Sequence, residues 1–311
     1  MSDPFVVDVV RSGFVESTHI VDVAVVDDAG LIARAGDPSV RCAFRSSAKP
    51  LQARVAVEAG WSPQDQRFLA IACASHNGEP EHVTTVRSLL AHAGVDESSL
   101  ACPLDVPAGD AALAVQEKAR IYHNCSGKHA GMLAACAAAG WPLDGYRSPD
   151  HPLQQRIAQM VSASTGEKNE VLIDGCGAPT AVASLAGFAR AFLSIDGGPE
   201  TAAMRAHPFL VAGTRRLDTA LMSAAPDLVS KGGAEGLACA TDGTVGIACK
   251  VRDGNARATG PVLIAVLAQL GLVSPDQRQE LTSVERPAVL GGGEPVGGCT
   301  ARGAISRVGV R

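Results

Sequence analysis

The chain has 311 residues, of which 46% are hydrophobic, 19% charged and only 4% aromatic, and its formal net charge is −5. That length suffices for one large core or two domains sharing a cleft, and the apolar fraction excludes global disorder. The acidic balance gives no electrostatic reason to expect nucleic acid or an anionic membrane as a partner.

With so few rings, the core has to be built from Ala, Val and Leu, with glycine allowing close backbone approach. The opening residues carry Asp3 and Asp8 in and before a short apolar stretch, without a basic leader followed by a long hydrophobic segment. Nine cysteines, at 42, 73, 102, 125, 136, 176, 239, 249 and 299, are an odd number. An odd count beside a large core argues against a secreted disulfide framework, so a cytoplasmic location is the expectation. The sequon at Asn124, Cys125 and Ser126 is accordingly read as coincidence.

In chain order, Pro4–Val10 and Ile20–Asp27 alternate branched apolar and polar residues and predict strands. Leu51–Ala59 predicts a helix ended by Gly60 and Pro63, and Phe68–Ala74 reads as a buried strand running into Ser75. From Pro152, Leu153, Ile157, Met160 and Val161 share one helical face. Val171–Asp174 predicts a short strand entering a turn at Gly175, Cys176 and Gly177, followed by an Ala-rich helix at Val182–Phe192. Lys231–Gly236 predicts a turn-rich connection, and Thr244–Val251 a strand with Val245, Ile247 and Cys249 on one face and Gly246, Ala248 and Lys250 on the other. Pro261–Leu270 is too short to span a bilayer and predicts a buried helix, with Ala304–Val310 as a final strand. Together these elements predict an α/β (α+β) enzyme, one domain over 1–311, whose sheet is built from both terminal regions around a weakly separated helical middle at roughly 80–200.

Chemistry enters at Ser46 and Lys49, whose three-residue spacing puts both side chains on one side of a helical turn. A serine hydroxyl needs a base, and a lysine serves as one only where burial or a neighbouring cation keeps it partly neutral. Pro50 fits the first turn of a helix capped by Ser47, which leaves Ser46 just outside it. Ser47 is the competing nucleophile. Ser75, at the end of its predicted strand, and Lys250, on the small-residue face of its own, offer a second hydroxyl and amine for the same cleft. Two nearby ammonium groups would lower the proton affinity of at least one. Cys125 and Lys128 lie three residues apart, and the turn at Cys176 can present a third donor. Two thiolates suit zinc and a neutral lysine nitrogen is a feasible, unusual partner, although buried uncoordinated thiols are the commoner outcome at this spacing. Arg45, His207, Arg215, Arg216 and Asp218 are candidates for binding the charged groups of a substrate, while His76 and His129 are not needed by serine–lysine chemistry.

The ordered set FRSSAKPLQ (44–52), ASHNGE (74–79), HNCSGKHAGML (123–133), DGCGAP (174–179), HPFLVAGTRRLDT (207–219), KGGAEG (231–236) and CKVRDG (249–254) closely resembles the bacterial L-asparaginase II family of rhizobial type. The resemblance implies a fold related to serine β-lactamases and glutaminases, distinct from the two-threonine asparaginases. It implies hydrolysis of the side-chain amide of L-asparagine through an acyl-serine, with Ser46 as nucleophile, Lys49 as its amine partner, and Ser75 and Lys250 as a second pair. Cys125, Lys128 and Cys176 resemble the family's zinc ligands, Asp174 its acidic residue beside the metal, and a homodimer is expected. A broader serine amidohydrolase or glutaminase, and a zinc-stabilised amino-acid-binding protein, are the alternatives.

Overall fold

The computed structural model describes residues 2–115 and 117–309. The first three strands, β1 (Phe5–Arg11), β2 (Phe14–Asp27) and β3 (Gly30–Ala35), come from the N-terminal region. They join β7 (Val229–Gly233), β8 (Leu237–Thr241), β9 (Gly246–Val251), β10 (Ala288–Gly291), β11 (Glu294–Arg302) and β12 (Ser306–Arg307) in one antiparallel sheet. Its main path runs β10-β11-β1-β2-β9-β8-β7, with β3 and β12 branching from β2. Between the two groups lie β4 (Arg41–Ala43), β5 (Glu170–Ile173) and β6 (Pro179–Ser184), a small sheet in the order β4-β6-β5. The helices of this stretch are α1 (Lys49–Glu58), α2 (Gln66–Ala72), α3 (Pro80–His92), α4 (Ser126–Ala139), α5 (Pro152–Thr165), α6 (Leu185–Leu193), α7 (Pro199–Ala206), α8 (Pro208–Val211) and α9 (Leu217–Ala224), with α10 (Thr259–Leu270) following β9. The α/β class and the sheet drawn from both terminal regions agree with the sequence reading.

The period-two pattern of β2 sorts the core into two layers. Val21, Val23 and Val25 point to one face, where they pack with Val262, Leu263, Val266 and Leu267 of α10. Ala24 and Val26 point to the other, into a larger cluster with Phe44, Leu51, Ile71, Leu133 and Phe188. The small residues on that second face have a mechanical cause. A Cβ on Gly246 would lie 2.0 Å from the carbonyl oxygen of Ala189, so α6 rests directly on the backbone of β9. The small-residue face of β9 is therefore a helix seat rather than a cleft wall. Among the described residues no helix is long and apolar enough to cross a membrane.

Several elements differ from the sequence expectations. Phe68–Ala74 is helical rather than extended: Asp65 caps α2 by accepting the Arg67 amide at 2.8 Å, and the segment's short apolar run carries no period that separates the two forms. The predicted helix at Val182–Phe192 begins as β6, and Ser184 starts α6 by accepting the Gly187 amide at 2.9 Å. Lys231–Gly233 completes β7 instead of opening a turn. The final strand shrinks to Ser306–Arg307, and Val310 of the predicted strand lies outside the described residues. Ser47 is not the cap of α1, which has Ala48 at that position; its hydroxyl donates to the Lys231 carbonyl at 2.8 Å.

Candidate functional site

Residues 44–49 are held where the small sheet meets the large one. Phe44 donates its amide to Ala181 of β6, and the Arg45 amide donates to Thr180 Oγ1 at 2.9 Å. Arg45 takes φ +50°, a left-handed conformation costly for a residue with a Cβ, and turns the chain into a 3-10 turn over Arg45–Ala48 that continues into α1. This places Ser46 half-buried in the wall of a cavity of about 500 Å³, while Ser47 faces inward and is fully buried. The same cavity is lined by Ser75, His76 and Asn77 after α2, by Arg215, Arg216 and Asp218 around the start of α9, and by Gly232 and Gly233 of β7.

Lys49 lies beneath this wall, 1% exposed. Its Nζ donates to the Ala74 carbonyl at 2.6 Å and to Ser75 Oγ at 2.9 Å. Burial pushes its proton affinity down, against the pull of the Cys125 sulfur and with the help of the Lys128 charge. A neutral amine at this position would keep both of these hydrogen bonds and retain a lone pair.

The second buried lysine beside the cavity is not the one expected from sequence. Lys250 donates to the carbonyl oxygens of Glu235 and Val251 at the end of β9 and does not line the cavity. Lys231 of β7 lies behind the wall formed by Asp218 and Gly232: it is fully buried, donates to the Gly232 carbonyl at 2.8 Å and lies 3.4 Å from Asp218 Oδ2. Burial lowers its pKa to about 8, with Asp218 opposing and the Lys49 and Arg216 charges assisting. Burial works against ionisation of Asp218, yet Lys231, the Gly232 amide and the Ser230 hydroxyl hold its carboxyl below the ordinary value. The KGGAEG motif carries Lys231, but its glycines hide the strand β7 that buries it.

Below Lys49 lie the thiols. Cys125 precedes α4, Cys176 sits on the turn after β5, and both are buried. Lys128 Nζ donates to Cys176 Sγ at 2.8 Å. The neighbouring Cys176 sulfur lowers the Cys125 pKa far below the usual thiol value, against burial and with the help of the Lys49 and Lys128 charges, and the Cys176 pKa is raised in turn. Burial opposes the charge on Lys128, but the two sulfurs together raise its pKa. Asp174, its Oδ1 bound to Arg45 Nε at 2.6 Å, faces the cluster with its other oxygen 3.7 Å from Cys176 Sγ. Burial disfavours its charge, and Lys128, the Gly175 amide and Arg45 keep it ionised. Arg45 is thereby tied to the metal-like cluster rather than to the cavity.

The donor set fits a soft divalent ion such as zinc: two thiols, one of them already disposed to be a thiolate, beside an amine. His129 Nε2 is buried at this cluster without a hydrogen-bond partner. Among the described residues no three His, Cys, Asp or Glu side chains form a metal-binding group, and here the third donor is a lysine. The remaining histidines are structural. His76 accepts the Gly78 amide on Nδ1 and so donates from Nε2 to Ser126 Oγ at 3.0 Å, and burial pushes its pKa well down. His82 and His151 are pinned likewise by backbone groups, and His207 does not line the cavity.

Glycines set the height of α4 beneath the cavity. A Cβ on Gly127 would lie 2.2 Å from the Ile71 carbonyl oxygen and one on Gly131 2.8 Å from Ala72 Cβ, so α4 packs close against α2. Gly127→Ala is expected to cost about 1–3 kcal/mol of stability by overpacking and to displace Cys125 and Lys128. Thermal unfolding and zinc content of the purified variant check this; an unchanged melting temperature would remove the close-packing account.

The family described as L-asparaginase II matches residues 7–301. A solved structure described as a beta-lactamase from Mycobacterium bovis is 19% identical, with a TM-score of 0.42 over 80% of this chain and 94% of that one. Among curated proteins none matches.

Proposed function

The chain belongs to the L-asparaginase II family and hydrolyses the side-chain amide of L-asparagine, and we propose that it does so through an acyl-enzyme on Ser46. The observation that carries this reading is a half-buried serine in a 500 Å³ cavity beside a buried lysine that donates to Ala74 O and Ser75 Oγ. The Ser46 hydroxyl makes no hydrogen bond to protein among the described residues and is free to meet a substrate.

In this reading Ser46 Oγ attacks the carboxamide carbon while its proton passes to the Lys49 amine. The backbone amides of Ser46 and of Gly233 and Ala234 across the cavity are the donors for the oxyanion. The proton then moves from Lys49, directly or by way of Ser75, to the departing nitrogen, and ammonia leaves. Water, activated by the same amine, cleaves the ester and releases L-aspartate. Asp218 lines the opposite wall with Lys231 behind it, and burial and the Lys128 charge lower the proton affinity of Lys49. The cavity is ample for asparagine or glutamine, so selection between them falls to placed polar groups, among which Arg215 and Arg216 are suited to the α-carboxylate. Cys125, Lys128 and Cys176 would hold zinc, which when bound supplies a fixed positive charge that organises the floor of the site. Asp174 and Arg45 brace that cluster from outside.

A homodimer in the cytoplasm completes the reading. Support for a second copy is the edge strand β5, where Val171, Leu172 and Ile173 are 49%, 49% and 64% exposed. Nine free cysteines fit a reducing compartment, and the net charge of −5 supports a small-molecule substrate over nucleic acid or a membrane. The test is ammonia release from L-asparagine and L-glutamine by the purified chain with and without added zinc. Turnover of asparagine exceeding that of glutamine is expected; no amidase activity from an intact, zinc-loaded sample would sink the function.

A further inference from the structure

His129 is the buried group at the thiol cluster that the reaction does not use. Its ring follows Lys128 on α4, is fully buried, and places Nδ1 2.6 Å from the Tyr146 hydroxyl oxygen. Tyr146 is itself fixed. Its hydroxyl oxygen accepts the Ala101 amide at 3.0 Å, its carbonyl accepts from Gln154 Nε2 at 2.8 Å, and it is 2% exposed.

The tautomer of His129 follows from counting hydrogens. The phenol has one hydrogen to donate, and among the described residues His129 Nδ1 is its hydrogen-bonding acceptor. If Nδ1 carried a proton, the phenol oxygen would receive both the imidazole and the Ala101 hydrogens, and its own would be buried without an acceptor, at a cost of about 1–3 kcal/mol. Nδ1 is therefore the acceptor and Nε2 carries the ring hydrogen. That N–H is buried without a hydrogen-bond partner of its own, with the Cys176 sulfur beside it. An N–H cannot also be a metal ligand, which removes His129 from the coordinating set.

We propose that His129, its tautomer set by Tyr146, donates its Nε2 hydrogen to the Cys176 sulfur and so acts as a positioning residue for that sulfur as a zinc ligand. The inference rests on the zinc reading above. It makes the Tyr146–His129 pair a chain of support running from the Ala101 backbone to the metal-binding sulfur. Such supporting donors orient a ligand and stabilise its charged form, and their loss typically weakens metal binding by about 10- to 100-fold.

Two polar variants separate this role from packing. His129→Asn keeps an amide near the Nδ1 position, within reach of Tyr146, but has nothing at Nε2; His129→Gln places an amide N–H near Nε2. With the full chain, zinc affinity is read by competition against a chromophoric chelator. The thiolate-to-metal band of the cobalt-substituted protein is read beside it, with thermal unfolding of the zinc-free chains as control. His129→Asn is expected to bind zinc about 10- to 100-fold more weakly and to shift the cobalt band to longer wavelength, while His129→Gln stays within a few-fold of the parent. Equal affinities in all three chains, or equal losses in both variants, would overturn the proposal while leaving the zinc site standing. A parent chain that binds no zinc would bring down the zinc reading and this inference together.

Discussion

Ser46→Ala is expected to lower kcat/KM for L-asparagine by roughly 10³-fold or more with a melting temperature within about 2 °C of the parent. The small stability effect follows from the structure: the hydroxyl is half-buried and makes no protein hydrogen bond among the described residues, so its removal strands no partner. Ser75→Ala is expected to behave differently. Its Oγ accepts a Lys49 hydrogen at 2.9 Å in a buried setting, so its loss costs about 1–3 kcal/mol of stability. As a relay it is worth about 10²-fold in rate. The comparison matters because Ser75 is the one cavity serine with a direct hydrogen bond to Lys49. If Ser75→Ala were inactive while Ser46→Ala kept a tenth or more of parent turnover, Ser75 would be the nucleophile and Ser46 an accessory. Ser47 is no longer a comparable rival, since its hydroxyl is buried against the Lys231 carbonyl and does not line the cavity.

That ranking of three serines shows where sequence was informative and where it stopped. The α/β layering was legible, because it follows from apolar period, while the three-residue spacing of Ser46 and Lys49 did not reveal that Lys49 donates to Ser75. Cys125 and Lys128 share the N-terminal end of α4, and the turn after β5 brings Cys176 to them; the spacing allowed this meeting without requiring it. Lys250 failed for a physical reason. The small residues on its strand face were read as room for a cleft, when they are small because α6 presses on Gly246 and Ala248 from that side. Lys231 was passed over because glycines after it suggested a turn. In an edge strand, those same glycines let the backbone line a cavity without side chains filling it. Neither distinction is local, since each depends on which distant helix covers which face.

The lysine reassignment yields the second large effect. Lys250→Met should leave activity within about threefold of the parent, because the amine bonds to carbonyl oxygens away from the cavity. Lys231→Met should lower kcat/KM by about 10²-fold and destabilise the chain by about 3–5 kcal/mol, by leaving the Asp218 carboxylate buried beside an apolar side chain. Lys231→Met/Asp218→Leu should recover most of that stability and none of the activity, which separates folding from function. The stability linkage has a definite sign. Lys231 has its pKa lowered from 10.5 to about 8, so between those values the unfolded chain binds a proton that the folded chain has released. Its contribution to stability therefore grows as pH rises from about 8 to 10.5, is fully present above that window, and is lost as pH falls back through about 8. Denaturant unfolding across that range should show the gap in stability between parent and Lys231→Met widening with pH. A gap that narrowed, or an inactive Lys250→Met beside an active Lys231→Met, would return the second lysine of the site to β9.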